Sequence, residues 1–145
     1  MTFEEFILKY TYEAVYNFKG IDTDQAWGYQ CMDLMHKFID EVLGLPDYRI
    51  LAAPTAAQVY FNFPYIFGSD KFTKIDNTPT GVPLKGDIMF FKQYGTLYGP
   101  AGHVCVVYKA DIKAMCTFDQ NYPTGSLPHL QKHNYLGCLG WLRVR

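Results

Sequence analysis

The chain contains no long stretch of any one character. Nowhere in its 145 residues do the roughly 18 apolar residues of a membrane span run together. It also lacks an excess of charge: 13 Lys and Arg stand against 14 Asp and Glu, and the formal net charge is -1. Without that field, and without a run of Lys or Arg, there is no electrostatic footprint for nucleic acid. Repeats, low-complexity segments and linkers are missing too, so residues 1–145 are expected to form one domain. The first residues, MTFEEFILKY, carry two glutamates where a secretory signal needs a basic segment and then an apolar one. Synthesis in the cytoplasm without a signal peptide is the expectation. Cysteine is scarce: Cys31, Cys105, Cys116 and Cys138 show neither the dense spacing of a disulfide framework nor the CxxC pairs of a zinc site. Free thiols follow.

What is present is globular. Hydrophobic residues make up 49% and aromatics 17%, a composition that favours sheet. In TFEEFILKYTYEAVYN, Phe3, Phe6, Ile7, Tyr10 and Ala14 recur at helical steps, with Thr2 as cap and Glu5 completing a capping box. FKGIDTDQAWGY interrupts that period. It resumes at Cys31, Leu34, Met35, Phe38, Ile39 and Val42, and Gly44 and Pro46 end it. A short third helix is expected over 54–60, and FNFPYIFGSDKFTKI reads as aromatic loop with at most a short strand. After Pro83, DIMFF (87–91), HVCVVYKA (103–110), AMCTFDQ (114–120) and GCLGWLRVR (137–145) are β-like runs between turn residues. Helices first and strands afterwards predict an α+β domain, its helices packed on one face of an antiparallel sheet.

Cys31 falls in the first turn of the second helix, where unpaired N–H groups and the helix dipole favour a thiolate. A nucleophilic cysteine also needs an imidazole, and the imidazole needs a third group to orient it. His103 opens a hydrophobic strand, and Asp119 and Asn121 close the next one in FDQNYPTG. If the two strands form a hairpin, His103 lies beside Asp119 and Asn121. Each residue taken singly reads as well as core: a helix cysteine with apolar neighbours packs as a small hydrophobic residue. Their joint placement is what points to a cysteine hydrolase. His36, five residues along the helix from Cys31, points elsewhere, and His129 and His133 fall in a loop-like stretch, so surface positions are expected for all three. Cys105, Cys116 and Cys138 read as packed thiols.

Taken in order, the blocks DTDQAWGYQCMDL, KGDIMFF, GHVCVVY, FDQNYPTGS and GWLRVR resemble the CHAP domain, the cysteine, histidine-dependent amidohydrolase/peptidase module of bacteriophage endolysins and bacterial cell-wall hydrolases. The resemblance runs from about residue 20 to the C-terminus. It implies a papain-like (NlpC/P60-like) fold, with Cys31 as nucleophile, His103 as base, Asp119 orienting the imidazole and Asn121 at the same site. Many members carry Glu where this chain has Asp119, so the closer orienter is left open between Asp119 and Asn121. The implied reaction is acyl transfer on an amide bond of bacterial peptidoglycan, as N-acetylmuramoyl-L-alanine amidase or as endopeptidase. The oxyanion would be held by the backbone N–H of Cys31 and a further donor, for which Gln30 is a candidate. Groove walls would come from Tyr29, Tyr122 and the glycine-rich loop before His103.

Counted from Asp22, DTDQAWGYQCMD carries acidic residues at positions 1, 3 and 12, the spacing of a calcium loop. Ala26 and Gly28 can add carbonyls, but Trp27 replaces the usual glycine and Asp33 is shorter than the usual Glu. On spacing alone, Asp22 and Asp24 serve equally well as turn caps, with Asp33 favouring the helix dipole. Phage members of the family are similar in carrying calcium before the nucleophile, which implies a structural Ca²⁺ held by Asp22, Asp24, Ala26, Gly28 and Asp33. A partner that supplies wall binding, as a separate domain or subunit, is expected. Two other readings stay open: a non-catalytic wall-binding or virion structural domain of the same fold, and an intracellular cysteine protease.

Overall fold

The computed structural model describes residues 1–26 and 28–145. Helix α1 spans Phe3–Asn17, α2 Cys31–Glu41 and α3 Ala56–Phe61. A 3₁₀ turn at Ser69–Lys71 leads into the strands β1 (Phe72–Asp76), β2 (Ile88–Phe91), β3 (His103–Ala110), β4 (Ala114–Asp119), β5 (His129–Asn134) and β6 (Cys138–Val144). The strands form one antiparallel sheet in the order β1-β6-β2-β3-β4-β5. The α+β architecture follows the sequence pattern.

Local chemistry fixes where the helices begin. Thr2 Oγ1 accepts from the Glu5 N–H at 3.1 Å and Glu5 returns a carboxylate oxygen to the Thr2 N–H at 2.7 Å, so both ends of the capping box are made. Phe3, Phe6, Ile7, Tyr10 and Ala14, the predicted stripe, are the buried residues of α1. Helix α2 starts at Cys31 because Asp33 reaches back, its Oδ2 accepting from the Gln30 N–H at 2.8 Å.

Alternation along the central strands sorts the core into two layers. Ile88, Phe90, Val104, Val106, Phe118 and Leu142 face the helices and pack with Phe6, Leu34, Met35 and Phe38. The opposite side chains, among them Met89, Phe91, Cys105, Met115 and Trp141, make a second cluster closed over by Tyr98. His103 and Asp119 lie at the ends of adjacent strands where this second layer reaches the start of α2.

Residues 72–76 form β1 on the edge of the sheet, paired with β6, as the short strand allowed at the end of the aromatic stretch. One strand departs from expectation. Residues 129–134 form β5, paired with β4, where a loop was expected. HLQKHN does alternate, but with polar side chains on the inner face, so a search for hydrophobic alternation passes over it.

Candidate active site

Cys31 is the first residue of α2 and His103 the first of β3. The approach of the two elements depends on the loop before His103. Gly102 has φ +74, and a Cβ there would collide with the Phe91 carbonyl oxygen and the Ala57 side chain. Glycine lets β3 begin against β2 and α3 at that point.

The His103 ring connects the other two groups. Its Nε2 donates to Asp119 Oδ2 at 2.6 Å, and the Cys31 thiol is hydrogen-bonded to the same imidazole. With Nε2 committed to Asp119, Nδ1 is the nitrogen that serves Cys31. Burial alone would push the His103 imidazole down, but the hydrogen bonds to Asp119 and Cys31 outweigh it and hold the ring up at about 9. Asp119 is fully buried, which would raise its pKa. The imidazoles of His103 and His133 instead hold it well below the usual carboxylate range. The open question of the orienter therefore has a geometric answer: Asp119 holds His103.

Asn121 does something else. Its Nδ2 donates to Gln30 Oε1 at 3.1 Å and its Oδ1 accepts from the Gly125 N–H at 2.7 Å, so it steers the residue preceding Cys31. Gln120, buried between Asp119 and Asn121, donates to the carbonyls of Ile21 and Gln30, each at 2.8 Å, and accepts from the Ile21 N–H at 2.7 Å. The DQN triplet thus ties β4 to His103 through Asp119, and to the loop leading into Cys31 through its amides.

The histidines correct the sequence reading. His133 is buried, not on the surface, and its Nε2 donates to Asp119 Oδ2 at 2.7 Å. His129 is half-buried in β5. His36 lines the same groove as Cys31, with its Nε2 enclosed. Sequence reasoning also missed Thr117, Gln131 and Tyr98. The first two alternate with Asp119 and His133 on one sheet face, a polar period-two signal that was present in the chain. Cys105 is the packed thiol expected of it, pushed well above its ordinary pKa by burial, while Cys116 and Cys138 are half-buried.

A groove of about 1020 Å³ is lined by Cys31 and other α2 residues together with Asp47, Tyr48, Ala101 and Gly102. Ala101 and Gly102 belong to the glycine-rich loop before His103. Tyr29 donates to the Gly125 carbonyl, and Tyr122 packs its ring 5.1 Å from that of His103.

Upstream of Cys31, carboxylate oxygens of Asp22, Asp24 and Asp33 lie within 4.8 Å of one another. Asp22 and Asp24 are exposed and Asp33 is buried, anchored by the backbone N–H and hydroxyl of Thr23 at 3.2 and 2.6 Å. Hard oxygens converging this closely suit a hard divalent cation. Ala26 borders the same groove and donates its N–H to Asp24 at 2.9 Å. Gly28 occupies a turn at φ +69, and Trp27, the sixth position of the loop, lies outside the described residues.

Fold and site together define an α+β domain with a helix-start thiol, an imidazole and a buried carboxylate in series. No protein-family model and no curated protein sequence matches the chain. Among solved structures it is similar to the wild-type endolysin LysIME-EF1, with a TM-score of 0.68 at 24% identity over 99% of this chain and 65% of that one. It is also similar to Ly7917, with a TM-score of 0.63 at 16% identity over 99% of this chain and 62% of that one. The chain therefore spans somewhat less than two thirds of either. Among the described residues no helix is long and apolar enough to cross a membrane.

Proposed function

We propose that this chain is a cysteine-dependent hydrolase of bacterial peptidoglycan, of the CHAP kind, cleaving an amide bond by acyl transfer. The observation that carries the reading is the His103 ring, bonded to Cys31 on one side and to the buried Asp119 on the other. The shared fold with an endolysin and the ordered sequence blocks supply the substrate class. The Cys31 thiolate attacks the amide carbonyl carbon, and the His103 imidazolium gives its proton to the amine as the C–N bond breaks. Neutral His103 then takes a proton from water, which attacks the thioester, releases the carboxylic acid and restores the thiol. The backbone N–H of Cys31 and the carboxamide of Gln30, aimed by Asn121, are the proposed donors to the oxyanion.

Asp22, Asp24 and Asp33, with the carbonyls of Ala26 and Gly28, would hold a calcium ion. Bound there, it supplies positive charge that fixes the loop and the start of α2. Its role is structural. A separate wall-binding domain or subunit remains part of the proposal, as partner and not as catalyst.

Purified wild type and Cys31→Ala are to be added to Gram-positive cell walls. Wild type is expected to clear the suspension and release new termini while the variant does neither. Equal turbidity loss with no new amino groups would sink the enzyme reading in favour of a wall-binding or virion structural domain. Cleavage of unfolded protein without wall lysis would favour an intracellular protease. Mass spectrometry of the released fragments identifies the bond and separates amidase from endopeptidase.

A further inference from the structure

The buried carboxylate of Asp119 serves two imidazoles, and the reaction as proposed uses only one. Asp119 Oδ2 accepts from His103 Nε2 at 2.6 Å, from His133 Nε2 at 2.7 Å and from Gln131 Nε2 at 3.2 Å, and Oδ1 accepts from the Thr117 hydroxyl. On its far side His133 Nδ1 meets Tyr98 Oη at 3.0 Å. The rings also stack: Tyr98 lies 5.9 Å from His103 at 8° and Tyr122 lies 5.6 Å from His133 at 24°. All of these polar groups except those of Gln131 and Tyr122 are buried.

We infer that His133, with its tautomer set by Tyr98, is a positioning residue that locks Asp119 in the orientation from which His103 presents Nδ1 to Cys31. The inference rests on the proposed thiol mechanism. Without His133, the Asp119 carboxylate would keep only the rotatable Thr117 hydroxyl and the longer Gln131 contact beside His103, and it could swing about its χ2 and take the imidazole with it. A second rigid donor from β5, on the neighbouring strand, removes that freedom.

The proton count follows from the partners. Ionised Asp119 accepts only, so His133 carries a proton on Nε2. Burial keeps Tyr98 a phenol, with its pKa well above the ordinary range, so its O–H is free to donate to Nδ1. The geometry thus gives His133 a donating Nε2 toward Asp119 and an accepting Nδ1 toward Tyr98. Tyr98 does for His133 what Asp119 does for His103: it decides which nitrogen bears the proton.

Imidazole ¹⁵N spectra of the wild-type protein test the tautomer directly. His133 is expected to carry its proton on Nε2 and to accept at Nδ1, and a proton on Nδ1 overturns the inference. His133→Phe keeps the volume but not the donor, and His133→Gln restores an N–H. Misplacement of a reacting group by about 1 Å costs on the order of 10²-fold. That loss is expected in kcat for His133→Phe, with KM unchanged, substantial recovery in His133→Gln and a smaller loss in Tyr98→Phe. Alkylation of Cys31 by iodoacetamide, followed by peptide mass spectrometry, needs no wall substrate. It should slow in His133→Phe and recover in His133→Gln. If wild type alkylates rapidly at Cys31 but lyses no wall, the substrate reading fails, and slowed alkylation in His133→Phe with recovery in His133→Gln still upholds the positioning role. If His133→Phe is folded with unchanged kcat and alkylation, or changes KM alone, the positioning role fails.

Discussion

The cluster around Asp119 and the cluster around Asp33 each bring ligand-type atoms within 4.8 Å of one another, yet one is sealed in the sheet and the other opens to solvent. At Asp119 every oxygen has protein donors, two imidazoles, an amide and a hydroxyl, and the charge is balanced by His103. At the loop before α2 only Asp33 is so treated, held by Thr23 and Gln30, while Asp22 and Asp24 stand exposed beside it with no cation from a side chain in contact among the described residues. Burial forces a carboxylate to be satisfied internally, whereas exposure lets water screen the charges of Asp22 and Asp24 beside the buried Asp33. The first cluster holds a proton in place, and the second is the one proposed to receive a cation.

The largest effect is expected from breaking the internal balance. Asp119→Ala takes the acceptor away from both imidazoles and the Thr117 hydroxyl and leaves His103 without a counter-charge, and activity should fall on the order of 10⁴-fold. Asp119→Asn keeps the shape and removes the charge. In wild type the alkaline limb of kcat/KM should lie near 9, where His103 loses its proton; in Asp119→Asn it should move toward the ordinary imidazole value of 6.5. Stability carries the same signature. The raised pKa of His103 contributes stability that is complete below 6.5 and lost as pH rises through about 9. The depressed pKa of Asp119 contributes stability that is complete above its ordinary 3.8 and lost at lower pH. Thermal melts across pH should therefore plateau between those values in wild type, and both slopes should flatten in Asp119→Asn.

The exposed cluster is expected to respond to an ion. Calcium added to chelated protein at a hundredfold excess over Kd stabilises by about 2.7 kcal/mol, a rise of several degrees in Tm. Asp22→Ala with Asp24→Ala should abolish the rise, and a wild-type melt indifferent to calcium would retire the site. Asp33 sharpens the contrast. Because it caps α2 and bonds Thr23, Asp33→Ala should lower Tm even in chelator, by the roughly 1–2 kcal/mol of a lost cap. Asp22→Ala in chelator should leave Tm unchanged or raise it slightly, since it relieves repulsion.

How legible these two clusters were in the chain depended on what held them. The loop aspartates are neighbours in sequence, so their convergence could be read from spacing. The helix boundaries were legible because caps and apolar periodicity are local, and Cys31 was placed at its helix start on that basis. His103 and Asp119 were found because both end hydrophobic strands of one hairpin. His133 was lost because its strand turns polar side chains inward, and a polar inner face is justified only by the carboxylate it meets, which sits on another strand. β1 was legible only as at most a short strand, because an edge strand needs only one paired side and its pattern is weak.

The smallest expected effect lies between the clusters, at Asn121. Its backbone has φ +62, a conformation that asparagine tolerates and alanine resists, and its side chain orients the Gln30 carboxamide and the Gly125 turn. The two contributions separate by substitution. Asn121→Ala loses both, and strain of about 1–2 kcal/mol should appear in Tm along with a several-fold loss of kcat. Asn121→Gly keeps the left-handed backbone and loses only the side chain, so Tm should be nearer wild type while kcat falls by a similar several-fold factor. Equal activity of Asn121→Gly and wild type would reduce Asn121 to a turn residue and leave Gln30 without its proposed aim. Loss of kcat without loss of Tm would instead make Asn121 the link by which the strand that orients the imidazole also orients the groups around the thiol.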